Sequence, residues 1–592
     1  MPIYHAPLND MKFLLEEVFQ AERQLKQFAT FSDIDQELMF DILTEAAKFC
    51  ENELLPLNQK GDEIGCKLVN GEVTTPPGFK SAYAKMVAAG WLSLYADKKY
   101  GGQGLPKIVQ VFFDEILASC NVSFSLYTVL TQGAYHALHL HGTEAMKKTY
   151  LPKLISGEWA GTMCLTEPHC GTDLGLLKTK AIPNDDGSYA ISGTKIFITS
   201  GEHDLTDNII QTVLARMPDA PAGVKGISMF LVPKFLVNED GSLAERNNFT
   251  CGSLEHKMGI KGSSTCVMNF DGAKGFLIGK PHEGLKAMFS MMNLERLNIG
   301  LEGLSLAEIA YQNAVAYAKE RLQSRSLTGA KYPEKTADPI IVHPDVRRML
   351  LNIRAFTEGA RAMAAWLALL VDQAEYAENK DNVEIANELI ALLTPVVKAY
   401  FTDKGFDACN LALQVLGGHG YIKEWGMEQY VRDARIAQIY EGTNGIQALD
   451  LVKRKLVFNE GKALNYLTEI ISEFITEHKN EEKLTDIIHA LEAGLRDFVS
   501  VSFHIIKIAE ENPSDIGAAA SDYLHYLGLI VMGYLWAKMA STASAKTEQD
   551  FYKTKCQTAE FFFARIFPQV ESLKAIITQG SQTLMQVADE AF

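Results

Sequence analysis

Apolar residues recur at helical spacing along most of the chain, and one stretch in the middle breaks that pattern. From residue 36 to 157 the runs read as helices. Between Asp35 and Leu55, for example, Leu38, Ile42, Ala46 and Phe49 fall on one face of a period of about 3.6 residues. Thr75-Pro76-Pro77-Gly78 and Tyr100-Gly101-Gly102 punctuate these helices. From 158 to 280 the runs become short, β-branched and bounded by turn residues. They are Gly161–Leu165, Tyr189–Ile191, Lys195–Thr199, Asn208–Ala215, Gly226–Val232 and Thr265–Phe270. Asp186-Gly187, just ahead of one of them, predicts a hairpin turn. From 281 to 456 the helical period returns, with long segments at Ala307–Arg321 and Val383–Phe406. The second contains Pro395, where a kink or a division is expected. The block 457–592 is also helical, and residues 1–35 carry an amphipathic stretch, Asn9–Phe28.

This order predicts a mostly α protein with a central β domain and an added C-terminal helical block. A doubly wound sheet would alternate strands and helices throughout, so a nucleotide here is not expected on a βαβ unit. Gly417-Gly418-His419-Gly420 follows the helical run Leu411–Leu416, not a strand, so it fails the context test for a dinucleotide fingerprint.

Composition narrows the function classes. Hydrophobic residues make up 47% and charged residues 22%, ordinary for a globular protein. A formal net charge of -17 argues against a nucleic-acid partner, while leaving room for a phosphate-bearing cofactor held by a few local donors. The nine cysteines include no CxxC pair, which fits a reducing compartment, the cytoplasm. No basic region followed by an apolar run marks the N-terminus. The apolar run Leu527–Ala537 is shorter than the ~20 residues a membrane span needs and reads as a buried helix. His136, His139 and His141 do not share one helix face, so no metal site is expected there.

Specific chemistry enters with three segments. The first is Met163-Cys164-Leu165-Thr166-Glu167-Pro168-His169-Cys170-Gly171-Thr172-Asp173, followed by Lys195-Ile196-Phe197-Ile198-Thr199-Ser200-Gly201. The second is Gln414–Tyr421. The third is Arg432-Asp433-Ala434-Arg435-Ile436 with Tyr440-Glu441-Gly442-Thr443-Asn444. In order and spacing they resemble the acyl-CoA dehydrogenase family over roughly residues 36 to 456. The extra segments at both ends, and Arg321–Leu327, resemble its extended bacterial branch, which includes enzymes for longer acyl-CoAs and for 3-methylmercaptopropionyl-CoA. The likeness implies a helical N-terminal domain, a β-barrel-like middle domain and a four-helix-bundle domain, with the C-terminal extension beyond them.

It also implies FAD, a homo-oligomer with the dimer expected, an acyl-CoA substrate, electron-transfer flavoprotein as acceptor, and a place in fatty acid β-oxidation. By resemblance Leu165, Thr166, Thr172, Phe197, Thr199 and Thr443 contact FAD, and Arg321, Gln414 and Gly418 reach the FAD of a neighbouring subunit. Phe197 stands where relatives usually have tryptophan, which keeps an aromatic face and loses an indole N–H. Ordinary strand propensity is the competing explanation for the threonines.

A thioester α-proton is weakly acidic, so its removal needs a positioned base and stabilisation of the enolate. Glu441 is the expected base, with Tyr440, Gly442 and Arg296 on the substrate side; hydride then passes from the β-carbon to flavin N5. Two competitors stand beside it. Glu441 could merely cap the helix starting near Asn444, and Glu295 occupies the place from which some relatives supply their base. Glu295 is expected to be a helix residue paired with a neighbouring cation. The alternative functions are an acyl-CoA oxidase using dioxygen and a non-catalytic relative.

Overall fold

The computed structural model describes residues 2–509 and 511–592. They group into two compact units, one of Met1–Thr44, Pro106–Glu115 and Ile299–Phe592, the other of Glu45–Leu105 and Ile116–Asn298. The helices Lys107–His141 and Gly284–Glu320 each carry the chain from one unit into the other.

The second unit is built on a β-sheet that closes on itself. Thr265–Ile278 pairs with Tyr189–Thr199, which pairs with Lys180–Pro183; that strand meets Asn208–Arg216, which pairs with Ile227–Pro233, and this last returns to the far end of Thr265–Ile278. Trp159–Cys164 adds in parallel to Asn208–Arg216, and Phe249–Leu254 adds to Thr265–Ile278. Trp159–Cys164 and Ile227–Pro233 are buried along their whole length, as is all of Asn208–Arg216 but its last residue, so they show no alternation of apolar and polar faces. The turn at Asp186-Gly187 forms as expected: Gly187 is left-handed and the Asp186 carboxylate accepts from the Ser188 N–H at 3.0 Å.

Two strands are longer than the pattern suggested. Tyr189–Ile191 and Lys195–Thr199 are one strand, continuous through Gly193, where a Cβ would stand 2.4 Å from the Thr179 hydroxyl. Thr265–Phe270 runs on to Ile278, because Asp271-Gly272, which looks like a turn, is absorbed as a bulge. Among the helices, Gln36–Phe49 buries Met39, Leu43, Ala46 and Ala47, while Leu38 is exposed; the core face is rotated by about one residue from the expected one. Lys107–His141 is interrupted at Asn121, which leaves the helical region and caps the next turn by accepting from the Phe124 N–H at 3.0 Å.

In the first unit, Lys380–Val415 is a single helix continuous through Pro395, so the chain is not divided there. It meets Gly284–Glu320 at very close range: a Cβ on Gly303 would lie 2.4 Å from the Phe401 carbonyl, and one on Gly405 would lie 2.4 Å from the Gly303 carbonyl. The block after residue 457 forms the helices Lys462–His478, Thr485–Ile508, Pro513–Ser544, Asp550–Arg565 and Gln569–Ile577. Leu527–Ala537 is buried throughout, and the Trp536 indole donates to the Ala355 carbonyl at 3.0 Å. A buried ionic cluster ties this unit together. Arg361, 1% exposed, donates to Glu115 at 2.7 Å, to Glu308 at 2.9 Å and to Asp10; Lys555 donates to Glu358 at 2.7 Å and to Asp10. Two helices, Lys107–His141 and Lys380–Val415, are long and apolar enough to cross a bilayer, and most of each apolar stretch is buried inside the protein.

Candidate active site

Glu441 sits in a short loop between Met427–Arg435, with the tight turn Ile436–Gln438 after it, and the helix Asn444–Asp450. Glu441 and Gly442 are both left-handed, with φ of 54° and 83°. A glutamate gains nothing from that conformation, so the surroundings must hold it there. They do so from three sides. Lys398, wholly buried, donates to the Gly442 carbonyl at 2.7 Å and to the Asn444 side chain at 2.8 Å. The Gln447 amide donates to the Glu441 carbonyl at 3.1 Å, an approach that glycine at 442 permits, since a Cβ there would stand 2.5 Å from that nitrogen. The Tyr440 hydroxyl donates to Glu302, which lies in the helix Gly284–Glu320.

The helix that starts at Asn444 is capped by Thr443, whose hydroxyl accepts from the Ile446 N–H at 3.4 Å. Glu441, half-buried, is therefore not needed as the cap. The Glu302 carboxyl is pushed up to about 8. Burial is the main cause and the Glu441 and Asp433 charges add to it, while Tyr440 and Lys398 oppose it. Glu441 and Glu302 thus feel each other, and at neutral pH the buried one keeps its proton.

The other residues expected at the site in this unit lie at its surface. Arg321 is exposed just beyond the end of Gly284–Glu320, with its carbonyl accepting from the Ile340 N–H at 2.8 Å. Gln414 is exposed in the last turn of Lys380–Val415. Gly418 is exposed in the turn Gly417–Tyr421, where a Cβ would meet nothing within 4 Å. Thr443 is exposed.

In the β unit, Leu165 and Thr166 follow the strand Trp159–Cys164. Lys195, wholly buried, donates to the Leu165 carbonyl at 2.9 Å and to Glu167 at 2.9 Å, and the Ile196 N–H donates to the Thr166 carbonyl at 2.9 Å. Burial raises the Glu167 carboxyl, but Lys195, the Thr179 hydroxyl and backbone N–H groups outweigh it and hold it below the ordinary range. Phe197 lies at a bulge: Lys195 pairs with Met268 and Ile198 with Cys266, so two residues stand opposite Val267. Its φ is 59° and it is 59% exposed, next to the buried Ile198. A bulge of this kind re-aims a side chain out of the sheet. Thr199 is half-buried, with its carbonyl held by the Thr162 hydroxyl at 2.6 Å, and Thr172 is exposed in the loop after Trp159–Cys164. An aromatic face, a fixed main-chain turn and partly open hydroxyls form a donor set that fits a flat, polar-edged flavin ring.

Glu295 is wholly buried, and a Cβ on Gly133 would stand 2.4 Å from its carboxylate. Arg296 is half-buried, with its guanidinium donating to Asn293 at 3.3 Å. His139 and His141 turn to different partners, Asp97 at 3.2 Å and Ser290 at 2.9 Å. Sequence reasoning missed Lys398, Glu302 and Lys195 as parts of the site. A signal existed for the first two: each is a lone charge inside an apolar helical run, Leu392–Phe401 and Ile299–Leu306.

Comparison with known proteins places the chain. Residues 37–158, 162–273 and 282–456 match the profiles of the acyl-CoA dehydrogenase N-terminal, middle and C-terminal domains, and 467–588 matches that of the acetyl-CoA dehydrogenase C-terminal-like domain. The chain is 40% identical to 3-methylmercaptopropionyl-CoA dehydrogenase of Ruegeria pomeroyi, over 98% of this chain and 99% of that one. It is 33% identical to the broad-specificity linear acyl-CoA dehydrogenase FadE5 of Mycobacterium tuberculosis over the full length of both. A crystal structure of Caenorhabditis elegans ACDH-11 in complex with C11-CoA shares the fold with a TM-score of 0.77 at 19% identity, covering 98% of this chain and 96% of that one. The chain belongs to the acyl-CoA dehydrogenase family. It is an FAD-dependent enzyme that dehydrogenates acyl-CoA thioesters between the α and β carbons.

Proposed function

We propose that Glu441 is the base that removes the α-proton, leaving a trans-2-enoyl-CoA as product. The observation that carries this reading is the left-handed Glu441-Gly442 pair held by Lys398, Gln447 and the Tyr440–Glu302 contact, which fixes where the Glu441 side chain leaves a strained loop. Strain of this kind is kept where a side chain must be held in place for function. Tyr440 and Gly442 flank the thioester, and Arg296 shapes the substrate side. FAD, when bound, supplies the N5 atom that accepts the β-hydride. Leu165, Thr166, Thr172, Phe197, Thr199 and Thr443 hold it, with Arg321, Gln414 and Gly418 reaching across from a second subunit of a homodimer. The exposure of these last three supports that placement.

The acceptor in this reading is electron-transfer flavoprotein, and the setting is the cytoplasm, which suits nine cysteines that are all free thiols. The relative from Ruegeria, similar over nearly the whole length, supports 3-methylmercaptopropionyl-CoA as a substrate beside straight-chain acyl-CoAs of β-oxidation. The base assignment is tested by α-proton exchange: an acyl-CoA is incubated anaerobically in D2O and its α-position is followed by NMR. Wild type exchanges and Glu441→Gln does not; equal exchange in both refutes the assignment. Anaerobic flavin reduction by a panel of acyl-CoAs, including the methylmercapto compound, ranks the substrates. Peroxide yield against flavoprotein reduction decides the acceptor.

A further inference from the structure

The Glu441 loop is also held from the C-terminal extension. Asn444, the first residue of the helix after the loop, accepts from Lys398 at 2.8 Å and donates to Asp403 at 2.7 Å. The same Asp403 oxygen accepts from Gln438, in the turn on the other side of the loop, at 2.7 Å. Asp403 thus bridges the two ends of the segment that carries Glu441. Its second oxygen faces His525 Nε2 at 2.9 Å. His525 belongs to the helix Pro513–Ser544 of the extension, and its ring packs edge-on against Tyr400, one turn of helix from Asp403, with centroids 5.5 Å apart. Burial raises the Asp403 carboxyl, but the hydrogen bonds from His525, Gln438 and Asn444 outweigh it and hold it below the ordinary range. Asp403 therefore stays ionised, with both oxygens engaged.

We propose that the C-terminal helical extension sets the geometry of the Tyr440–Thr443 loop through the series His525–Asp403–Asn444, with Gln438 as its second branch, so that His525 and Asp403 are positioning residues for Glu441. This rests on the reading of Glu441 as the base. A carboxylate shared by two loop anchors and a histidine can keep only one orientation while all three bonds are made. Without His525 one oxygen of Asp403 is freed, the carboxylate can rotate, and Asn444 and Gln438 lose a common fixed acceptor. The extension then contributes to catalysis without touching substrate.

The test uses the full-length, FAD-loaded enzyme in four forms: wild type, His525→Ala, His525→Gln and Asp403→Asn. FAD content, KM, kcat and the rate of anaerobic flavin reduction are measured for each. A misplaced base slows the chemical step, so His525→Ala is expected to lower flavin reduction on the order of tenfold, with KM and FAD content within about twofold of wild type. His525→Gln, whose side-chain amide can donate to Asp403, recovers most of the rate, and Asp403→Asn behaves like His525→Ala. Should His525→Ala fail to fold, His525→Asn, too short to reach Asp403, takes its place. A wild-type rate in His525→Ala overturns the proposal. So does a His525→Gln enzyme as slow as the alanine form, or a loss that falls on FAD binding and KM instead of kcat. Glu441→Gln is run alongside: if it still exchanges the α-proton, the base assignment has failed, whereas a silent His525→Ala beside an inactive Glu441→Gln overturns the positioning series alone.

Discussion

Replacing Glu302 by glutamine should make the enzyme less sensitive to alkaline pH. Glu302 is 4% exposed, and burial with the nearby Glu441 and Asp433 charges pushes its carboxyl up to about 8. In the unfolded chain a glutamate titrates at about 4.3. Between those values the folded protein holds a proton that the unfolded chain has released, so the unfolded state binds fewer protons and stability falls as pH rises. The fall begins near pH 4.3 and levels off above about 8. At about 1.36 kcal/mol per pKa unit, the whole span is about 5 kcal/mol, of which about 4 kcal/mol lies between pH 5 and 8. Glu302→Gln removes that slope, because its amide is neutral at every pH and can still accept from Tyr440. An unfolding entropy of about 2.1 cal/mol/K per residue makes 1 kcal/mol worth a little under about 1 °C for a chain of this length. Thermal melts of the FAD-loaded proteins should therefore nearly coincide at pH 5 and separate by about 3 °C at pH 8, with the variant melting higher. Melting temperatures that run parallel from pH 5 to 9 would show that Glu302 does not carry a buried proton.

The rest of the frame offers sharper perturbations. Arg361→Leu leaves Asp10, Glu115 and Glu308 buried without their shared guanidinium, and should cost about 3–5 kcal/mol in urea denaturation; an unchanged midpoint contradicts the cluster's role. Gly405→Ala drives a methyl group to 2.4 Å from the Gly303 carbonyl, a backbone atom that cannot step aside, and should destabilise by about 1–3 kcal/mol in the same assay. Lys398→Met removes the donor to the Gly442 carbonyl and to Asn444, so flavin reduction should fall on the order of a hundredfold while FAD stays bound. A wild-type rate in that variant would mean the loop keeps its shape unaided.

Much of this architecture can be read from residue pattern, and the exceptions have physical causes. The β unit announces itself in short β-branched runs, yet two of its strands look shorter than they are. Gly193 and Asp271-Gly272 carry turn chemistry, but the sheet uses them for a close approach and a bulge. The buried face of Gln36–Phe49 lies a residue from the one through Leu38 because several faces of this helix carry apolar side chains, and only tertiary packing selects the one through Met39 and Leu43. Pro395 does not divide its helix, whose residues Leu392–Thr402 on either side of it are all buried and so held by packing. At the site, Tyr440–Asn444 is visible as a motif. Lys398 and Glu302 stand out only as lone charges in apolar runs; that they converge on the loop with Asp403 and His525 is not legible, because the four arrive from positions 38 to 139 residues away in sequence. That Thr443 and not Glu441 caps the helix shows only in the fold, where the Thr443 hydroxyl accepts from the Ile446 N–H.

The central claim is that Glu441 takes the α-proton and Glu295 does not. The direct measurement is anaerobic bleaching of the flavin by an acyl-CoA in two variants, Glu441→Gln and Glu295→Gln, each checked for FAD content. Glu441→Gln should keep its FAD and lose nearly all bleaching, while Glu295→Gln keeps substantial activity. Bleaching that survives in Glu441→Gln and vanishes in Glu295→Gln would contradict the account and move the base to the buried helix residue.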